Sequence, residues 1–247
     1  MLEIDKVYLM DCLEGLKKIE DNSIDLVVTD PPYRVISGGN KDRGTNGFPN
    51  SVLSRNDGKI FNFNDIKFED WIPEMYRVLK EDTHFYCMTN VINLEKVLRI
   101  GREAGFKLHN VLVWEKNTAN PNRWYMKNCE FTILFYKGNA KVINHPGSKQ
   151  VHSFNNIVGD KQHPTQKPVE LMELYVGNSS QENELVLDPF MGSGATAVAC
   201  KNLNRHFIGF EIDPDYYEII QENLKDKKEE TLSGGLFDIL EEVSIRG

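Results

Sequence analysis

Short apolar runs rich in β-branched residues alternate along this chain with segments of helical periodicity. Buried strands are predicted at residues 24–29, 84–88, 111–114, 131–136, 184–188 and 205–211. Apolar spacing of one helical face predicts helices at residues 68–79, 94–104, 168–176, 195–203 and 216–224. Such strands, separated by helices, are typical of a sheet covered on both faces. The sequence therefore predicts an α/β fold with a doubly wound, mainly parallel sheet.

The 247 residues fit one large domain, 1–247, that can bury its own core. Three segments lack a clear period: a loop at 34–66, an insertion at 138–162 and a charged tail at 225–247. No apolar run reaches eighteen residues and the N-terminus lacks signal-peptide character, so we expect a soluble cytoplasmic protein without a membrane segment. The four cysteines are scattered, which predicts free thiols, and no metal site is predicted.

The net charge of −8 is unusual for a protein that binds nucleic acid, but the charge is unevenly distributed. From residue 211 to the end there are eleven acidic and four basic residues. Residues 34–67 hold six basic and three acidic residues, and residues 137–167 hold five basic and one acidic. The two positive segments are candidate phosphate contacts, although solvated loops would have the same composition.

A glycine-containing loop follows the strand that ends at Asp188. Gly192 and Gly194 stand between this strand and a helix, where a ligand can approach the backbone and the helix N-terminus. Glu211 ends the next strand, where a carboxylate can accept hydrogen bonds from ribose hydroxyls. A packing turn is the alternative. Because Ala197 replaces the third glycine of a dinucleotide loop, and no Lys-Ser/Thr follows, the pattern favours an adenosine-type ligand over NAD or ATP.

The tetrapeptide Asp30-Pro31-Pro32-Tyr33 stands directly after a predicted buried strand. The Asp30 carboxylate and the Pro31 carbonyl are two hydrogen-bond acceptors that rigid prolines can hold at a fixed angle. Two such acceptors can take the hydrogens of an aromatic amine, so that its nitrogen becomes nucleophilic. Tyr33 offers a flat face on which an extruded base can stack. An Asx turn closed by prolines is the structural alternative.

Taken together, these motifs resemble the amino-methylating DNA methyltransferases, in the class whose catalytic motif precedes the cofactor motif. The matching segments are residues 30–33, the Phe-x-Gly-x-Gly loop at 190–194, the His-Pro-Thr-Gln-Lys-Pro segment at 163–168 and the N-terminal segment 8–14. Met10 departs from the family, which commonly has glycine there. Residues 113–117 and the stretch around Glu130 are similar to family elements near the target base.

The resemblance implies a seven-stranded, Rossmann-like methyltransferase sheet with one antiparallel strand. It implies S-adenosyl-L-methionine as the cofactor and methylation of the exocyclic N6 of adenine in a flipped-out base. Asp30 favours adenine, because serine at this position usually accompanies the alternative target, N4 of cytosine. Its implied catalytic residues are Asp30, Pro31, Pro32 and Tyr33. The implied cofactor contacts are Asp11, Cys12, Asp30, Thr165, Lys167, Asp188, Phe190, Gly192, Ser193, Gly194, Thr196, Glu211 and Ile212.

Double-stranded DNA is the expected partner, with basic side chains on phosphates and groove contacts reading the sequence. The candidate DNA contacts are Arg34, Lys41, Arg43, Arg55, Lys59, Lys116, Arg123, Lys137, Lys141, Lys149 and Lys161. The insertion at 138–162 is short for complete readout by one subunit, so we expect a homodimer or a contribution from the 34–66 loop. A cognate restriction endonuclease in a prokaryotic or phage setting is a further expected partner.

Two readings from other functional classes remain at this point. The chain could be a catalytically silent DNA-binding module, although such a module has no need of Asp30, Tyr33, Gly192 and Gly194 together. A dinucleotide-dependent oxidoreductase is opposed by the missing third glycine and the lack of an evident hydride-transfer site.

Overall fold

A computed structural model describes residues 2–32, 66–120, 125–155 and 167–225. The strands are β1 (Lys6–Leu9), β2 (Ile24–Thr29), β3 (Leu79–Thr89), β4 (Lys107–Asn120), β5 (Lys127–Tyr136), β6 (Val151–Phe154), β7 (Leu185–Asp188) and β8 (His206–Glu211). The helices are α1 (Cys12–Leu16), α2 (Phe68–Val78), α3 (Leu94–Glu103), α4 (Val169–Ser179), α5 (Ala195–Asn202) and α6 (Pro214–Lys225). Nearly all of the 34–66 loop, the end of the insertion and tail residues 226–247 lie outside the described residues.

All strands join one sheet in the order β1-β8-β7-β2-β3-β5-β4-β6. Within the described residues, β5 alone runs antiparallel to its neighbours, β3 and β4. The predicted α/β class and mainly parallel sheet with one antiparallel strand are therefore confirmed. The strand number differs, because the described part of the sheet has eight strands where seven were expected. The additional strand is β6, which forms within the 138–162 insertion and pairs with β4 from Val113↔Val151 to Lys116↔Phe154.

Three short elements, β1, α1 and β6, are absent from the sequence prediction. Each has four or five residues, too few to show a period above the background. Strand β3 begins at Leu79, five residues before the predicted start. Residues 80–82 near the start of this strand are polar, and Asp82 has a φ of 62° where the pairing with β2 is irregular. Pairing with neighbouring strands, rather than local pattern, defines β1, β6 and the start of β3.

Helices cover both faces of the sheet and divide the core into two layers. On one face α1, α2 and α3 pack through residues such as Leu16, Trp71 and Val97, which are fully or almost fully buried. On the other face α4, α5 and α6 pack through residues such as Leu171 and Ile220. The apolar strands are therefore buried on both faces of the sheet, as their continuous apolar runs predict.

The sheet reverses its direction of winding between β2 and β7. From β2 the chain passes through α2 to β3 on one side, whereas from β7 it passes through α5 to β8 on the other. β2 and β7 are parallel neighbours, with Leu26 opposite Val186. A crevice opens at the carboxyl ends of strands where such a reversal occurs, and ligands of open α/β sheets bind there.

In the part of the chain that the structure describes, no helix combines the length and apolar character needed to cross a bilayer. The cysteines Cys12, Cys87, Cys129 and Cys200 are free, and only Cys129 is not fully buried.

We predict that Gly15→Ala destabilises the protein by about 1–3 kcal/mol, because the added methyl group overpacks the core. A Cβ at Gly15 in α1 would lie 2.4 Å from Cε1 of the Phe210 ring in β8. Urea unfolding of both proteins measures this difference in free energy. The double variant Gly15→Ala/Phe210→Leu should lose less stability than the sum of its single variants. Equal stability of Gly15→Ala and the wild type would contradict the packing described.

Candidate active site

The two predicted motifs meet at the carboxyl ends of β2 and β7. Asp30 follows the last residue of β2, and Asp188 is the last residue of β7. Between the strands, Thr29 Oγ1 donates a hydrogen bond of 2.6 Å to Asp188 Oδ1. Residues separated by about 160 positions in sequence are thereby joined in one crevice. Thr29 was not among the predicted site residues, although a polar residue ending an apolar run just before Asp30 is a usable signal.

Asp188 is a buried organiser of the loop that follows it. Its Oδ1 also accepts from the Phe190 amide at 3.0 Å, and its Oδ2 accepts from Thr196 Oγ1 at 2.7 Å. Burial raises the pKa of Asp188 to about 6 even though these hydrogen bonds lower it. Asp188 is only 3% exposed, and its hydrogen bonds link β2, the loop and α5. The predicted cofactor role of Asp188 would therefore act through the loop.

The glycine loop is held against the end of β8 by Glu211. Gly192 has a φ of +57° and donates its amide to Glu211 Oε2 at 2.8 Å. Glu211 Oε1 accepts from the amides of Ile212 and Asp213 at 3.0 and 2.9 Å. Burial raises the pKa of Glu211 above its ordinary value, and the three amides oppose this effect. Gly194, with a φ of +87°, is the N-cap residue of α5, and a Cβ there would lie 3.2 Å from Cγ2 of Ile220 in α6, so both backbone conformation and packing favour glycine at this buried position.

Three further predicted cofactor contacts, Asp11, Cys12 and Ile212, lie next to the end of β8, to which the loop is bound. The Met10 amide donates to the Glu211 carbonyl at 2.9 Å, which places Asp11 beside the end of β8. Asp11 caps α1, since its Oδ1 accepts from the Leu13 amide at 2.8 Å. Cys12 is buried, and burial raises the pKa of its thiol to about 12, so it is a packing residue there. Ile212 is 38% exposed beside Glu211 and offers an apolar surface.

Two further loop residues are fixed by packing. The Phe190 ring meets the Trp71 ring of α2 edge-on, with centroids 5.0 Å apart. Ser193 is buried, and its carbonyl accepts from Asn223 Nδ2 at 3.0 Å. A glycine loop at the end of β7, a buried carboxylate at the end of β8 and the adjacent apolar surface of Ile212 together fit an adenosine moiety. The residues present are thus compatible with S-adenosylmethionine in the crevice.

Asp30 lies on the other side of the crevice, with 19% of its side chain exposed. Its Oδ2 forms an ion pair with Lys167 Nζ. Its Oδ1 is buried and has no hydrogen-bond partner among the residues that the structure describes. Burial raises the pKa of Asp30, and Lys167 is the strongest opposing influence. An acceptor oxygen without a partner at a ligand crevice is an unmet hydrogen-bonding requirement that a substrate amine can fill.

Lys167 and Lys116, predicted to contact cofactor and DNA, both contact acidic side chains in the structure. Lys167 Nζ lies 3.4 Å from Glu130 Oε2, in addition to its ion pair with Asp30. Lys116 Nζ pairs with Glu130 Oε1 and stands 4.7 Å from the centroid of the Trp114 ring. Although burial alone would raise the pKa of Glu130, the two lysines lower it below its ordinary value. The sequence placed Glu130 near the target base but did not indicate these contacts.

The other predicted DNA contacts that the structure describes, Lys137, Lys141 and Lys149, form no ion pair with Asp30. Lys141 and Lys149 are exposed in the segment between β5 and β6. The prediction for Lys137 is wrong, because this residue is 4% exposed and its Nζ donates to Asn22 Oδ1 and to the carbonyls of Tyr76 and Leu79. The predicted residues outside the described ranges are Tyr33, Arg34, Lys41, Arg43, Arg55, Lys59, Arg123, Lys161 and Thr165.

A comparison with protein families gives a match over most of the chain. The family model described as DNA methylase, of the N6 and N4 type, matches residues 24–222. The chain belongs to this DNA methylase family. The predicted family, the S-adenosylmethionine-dependent DNA methyltransferases, is confirmed by this match and by the relatives described next.

Several relatives of this DNA methylase are named Type II methyltransferases. Type II methyltransferase M.HpaI of Haemophilus parainfluenzae is 31% identical, over 89% of this chain and 74% of the relative. Type II methyltransferase M2.DpnII of Streptococcus pneumoniae is also 31% identical, over 89% of both chains. The crystal structure of the M1.HpyAVI–SAM complex is 27% identical, with a TM-score of 0.68, and covers 89% of this chain and 98% of that chain. The cytosine-N4-specific PvuII DNA methyltransferase, 18% identical with a TM-score of 0.69 over 98% of this chain and 91% of that chain, shares the fold.

We predict that Asp188→Asn changes the pH dependence of stability between pH 4 and 6. The folded-state pKa of Asp188 is about 6, above the ordinary value of 3.8, so folding takes up a proton in this interval. The stability of the wild type relative to Asp188→Asn should therefore rise as the pH falls from 6 towards 4. Urea unfolding of both proteins across this range measures the difference. A constant difference would contradict the burial of an ionisable carboxyl at this position.

Proposed function

We propose that this DNA methylase transfers the methyl group of S-adenosylmethionine to the exocyclic N6 of adenine in double-stranded DNA. The observation that carries the proposal is the Asp30 carboxylate, whose Oδ1 lacks a partner within the described part of the chain. Asp30 follows β2, and the Gly192 loop, which Glu211 binds through the Gly192 amide, follows the parallel neighbour β7. Acceptor and cofactor cradle are thus supplied by neighbouring strands of one rigid sheet.

The reaction requires the amine nitrogen to become a nucleophile. Its lone pair is delocalised into the base, and hydrogen bonds from the amino hydrogens to fixed acceptors favour a pyramidal nitrogen. Asp30 Oδ1 is one such acceptor, and the carbonyl of Pro31 is the second in our proposal. Pro31 is buried and Pro32 half-buried, so the turn offers its acceptors with little reorganisation. The surplus proton of the methylated amine can leave to water, so a tuned general base is not required.

The cofactor, when bound, supplies an electrophilic methyl group on a sulfonium. Glu211 is the residue that we assign to the ribose hydroxyls, and Gly192, Ser193 and Gly194 form the loop on which the ligand rests. Phe190 and Ile212 line the same region with apolar surface. Asp11 and Cys12 belong to the turn between β1 and α1, next to this region. Asp188 and Thr196 stabilise the loop through their hydrogen bond.

Adenine is the proposed target because aspartate begins the catalytic tetrapeptide. The chemistry at N4 of cytosine is nearly the same, and methylation of cytosine is the alternative outcome. A base inside a duplex hides its amino group, so the target nucleotide must be extruded into the crevice. In this proposal Tyr33 stacks on the extruded base, and the basic residues from Arg34 to Lys59, with Arg123, Lys141 and Lys149, contact phosphate.

The setting that we propose is a cytoplasmic restriction-modification system. The support for this setting is that the relatives M.HpaI and M2.DpnII are named Type II methyltransferases. A cognate endonuclease that recognises the same DNA sequence would then be the natural partner.

We predict that the purified protein, incubated with S-adenosylmethionine and unmethylated duplex DNA, forms N6-methyladenine. Mass spectrometry of the digested nucleosides distinguishes this product from N4-methylcytosine in one run. N4-methylcytosine alone would overturn the assignment of the base but retain the family chemistry.

The matched inactive control is Asp30→Ala, which removes the acceptor oxygens. Methylation should fall by about 10²-fold or more, as in sites that lose one stabilising group. Calorimetric binding of S-adenosylmethionine should stay close to that of the wild type. Near wild-type turnover of Asp30→Ala would refute the mechanism.

We also propose a homodimer, because the insertion that carries β6 is short for reading a DNA site alone. Light scattering after size-exclusion chromatography, with and without a methylatable duplex, should show a mass near twice 28.4 kDa for the protein component. A monomer under both conditions, combined with full activity, contradicts this expectation.

A further inference from the structure

Four charged side chains, which we call the charge cluster, meet at the carboxyl edge of the sheet: Asp30, Lys116, Glu130 and Lys167. They come from the end of β2, from β4, from β5 and from the residues before α4. Each is largely shielded, since the exposed fractions of the side chains are 19%, 19%, 22% and 6% respectively. Buried charges require partners, and two acids with two lysines satisfy this requirement.

Contacts within the charge cluster form a chain. Lys116 pairs with Glu130 Oε1, and Glu130 Oε2 lies 3.4 Å from Lys167 Nζ. Lys167 in turn pairs with Asp30 Oδ2. Asp30 thus lies at one end of a series of ion pairs, and Lys116 lies at the other end, over the Trp114 ring.

This arrangement treats the two oxygens of Asp30 differently. Oδ2 is held by Lys167, whereas Oδ1 has no partner in the described residues. The terminal torsion of an aspartate side chain is broad, so an unrestrained carboxylate would rotate. An ion pair on one oxygen fixes the plane of the carboxylate and so fixes the direction in which the other oxygen points.

The cluster also affects the charge state of Asp30. Burial favours the neutral acid and raises its pKa, and the negative charge of Glu130 acts in the same direction. Lys167, and more weakly Lys116, lower the pKa. Among the residues that the structure describes, Asp30 also acts electrostatically on Asp188 in β7 and on the Cys87 thiol in β3. Lys167 is therefore the group that most favours the ionised form of Asp30.

We propose that Lys167 and Glu130 are positioning residues for methyl transfer. Lys167 holds one oxygen of Asp30 so that the other faces the target amine, and Glu130 holds Lys167 in place. This inference rests on the proposed function, because it assigns Asp30 as the acceptor. It differs from the expectation that Lys167 binds the cofactor, since Lys167 here acts on the target-base side of the crevice.

The test is the pH dependence of single-turnover methylation, with saturating cofactor and DNA, in Lys167→Met and Glu130→Gln. Activity needs ionised Asp30, so it falls as the pH drops through the pKa of this carboxyl. The acid limb is the pH range over which the rate falls as the pH decreases. In Lys167→Met, removing the cation should move this limb upwards by about one pH unit or more, which is the pKa shift that an adjacent opposite charge causes. Removing the negative charge of Glu130 should move the limb downwards, while the plateau rate falls because Lys167 is less well fixed. Opposite shifts are not expected from a loss of folding alone.

The matched control is Lys137→Met, which removes another buried lysine of the same sheet, beyond the end of β5. It should lower the melting temperature and leave the acid limb in place. Lys167→Arg keeps the charge and should retain the wild-type limb with a reduced plateau. If Lys167→Met is too slow to profile, the direction of the Glu130→Gln shift decides.

Calorimetric titration with S-adenosylmethionine separates the competing roles of Lys167. Unchanged cofactor affinity with a shifted limb supports the positioning role. A weakened affinity with an unshifted limb would overturn it and return Lys167 to the cofactor site. If the wild type itself transfers no methyl group to DNA, the proposed function fails, whereas an active wild type with limbs that coincide in all variants refutes this inference alone.

Discussion

The structure of the site depends on a largely buried carboxyl group whose two oxygens differ, since one pairs with a cation and the other has no partner in the described residues. A buried charge without a partner is costly, and a fully satisfied one has no capacity for a substrate. At Asp30 the ion pair with Lys167 on one side, and the absence of any partner for Oδ1 within the described ranges, lie between these limits. Hydrogen-bonding capacity that folding leaves unused is available for an incoming amine.

The sheet holds this carboxylate in register with the cofactor loop. Parallel pairing of β2 with β7 sets the ends of both strands at one level, and the hydrogen bond from Thr29 to Asp188 joins them where the strands stop. Asp188 then fixes the start of α5 through Thr196, while Glu211 binds the loop to β8. Donor and acceptor are thereby carried on packed elements rather than on independent loops, as orientation effects in catalysis require.

The sequence predicted the class of fold and the central strands because buried parallel strands have long apolar runs that local pattern reveals. It missed β1 and β6, each of four residues, because their existence depends on partner strands far away in the chain. Among site residues, Asp30 and the glycine loop were found because rigid prolines and glycines at strand ends are local signals. The contact between Lys167 and Asp30 spans 137 positions, and no local pattern reports it.

The prediction for Lys137 shows a related difficulty. A basic residue after a strand was expected to face phosphate, but the Lys137 amide continues the pairing of β5 with β3 and its side chain is buried against three oxygen acceptors. Composition counts the charges of a segment without saying which side of the fold each one faces. Positive balance is thus a guide to segments and not to individual lysines.

The pairing of β1 with β8 brings residues from opposite ends of the sequence side by side, with Leu9 opposite Glu211. The crevice lies between β7 and β2, inside the sheet. Its two halves meet because these strands pair side by side, not because the chain connects them directly. Joining the chain near these strands and reopening it elsewhere would preserve every neighbour in the sheet. The order in which the catalytic and cofactor halves are encoded is therefore free to change by circular permutation without altering the chemistry that they perform together.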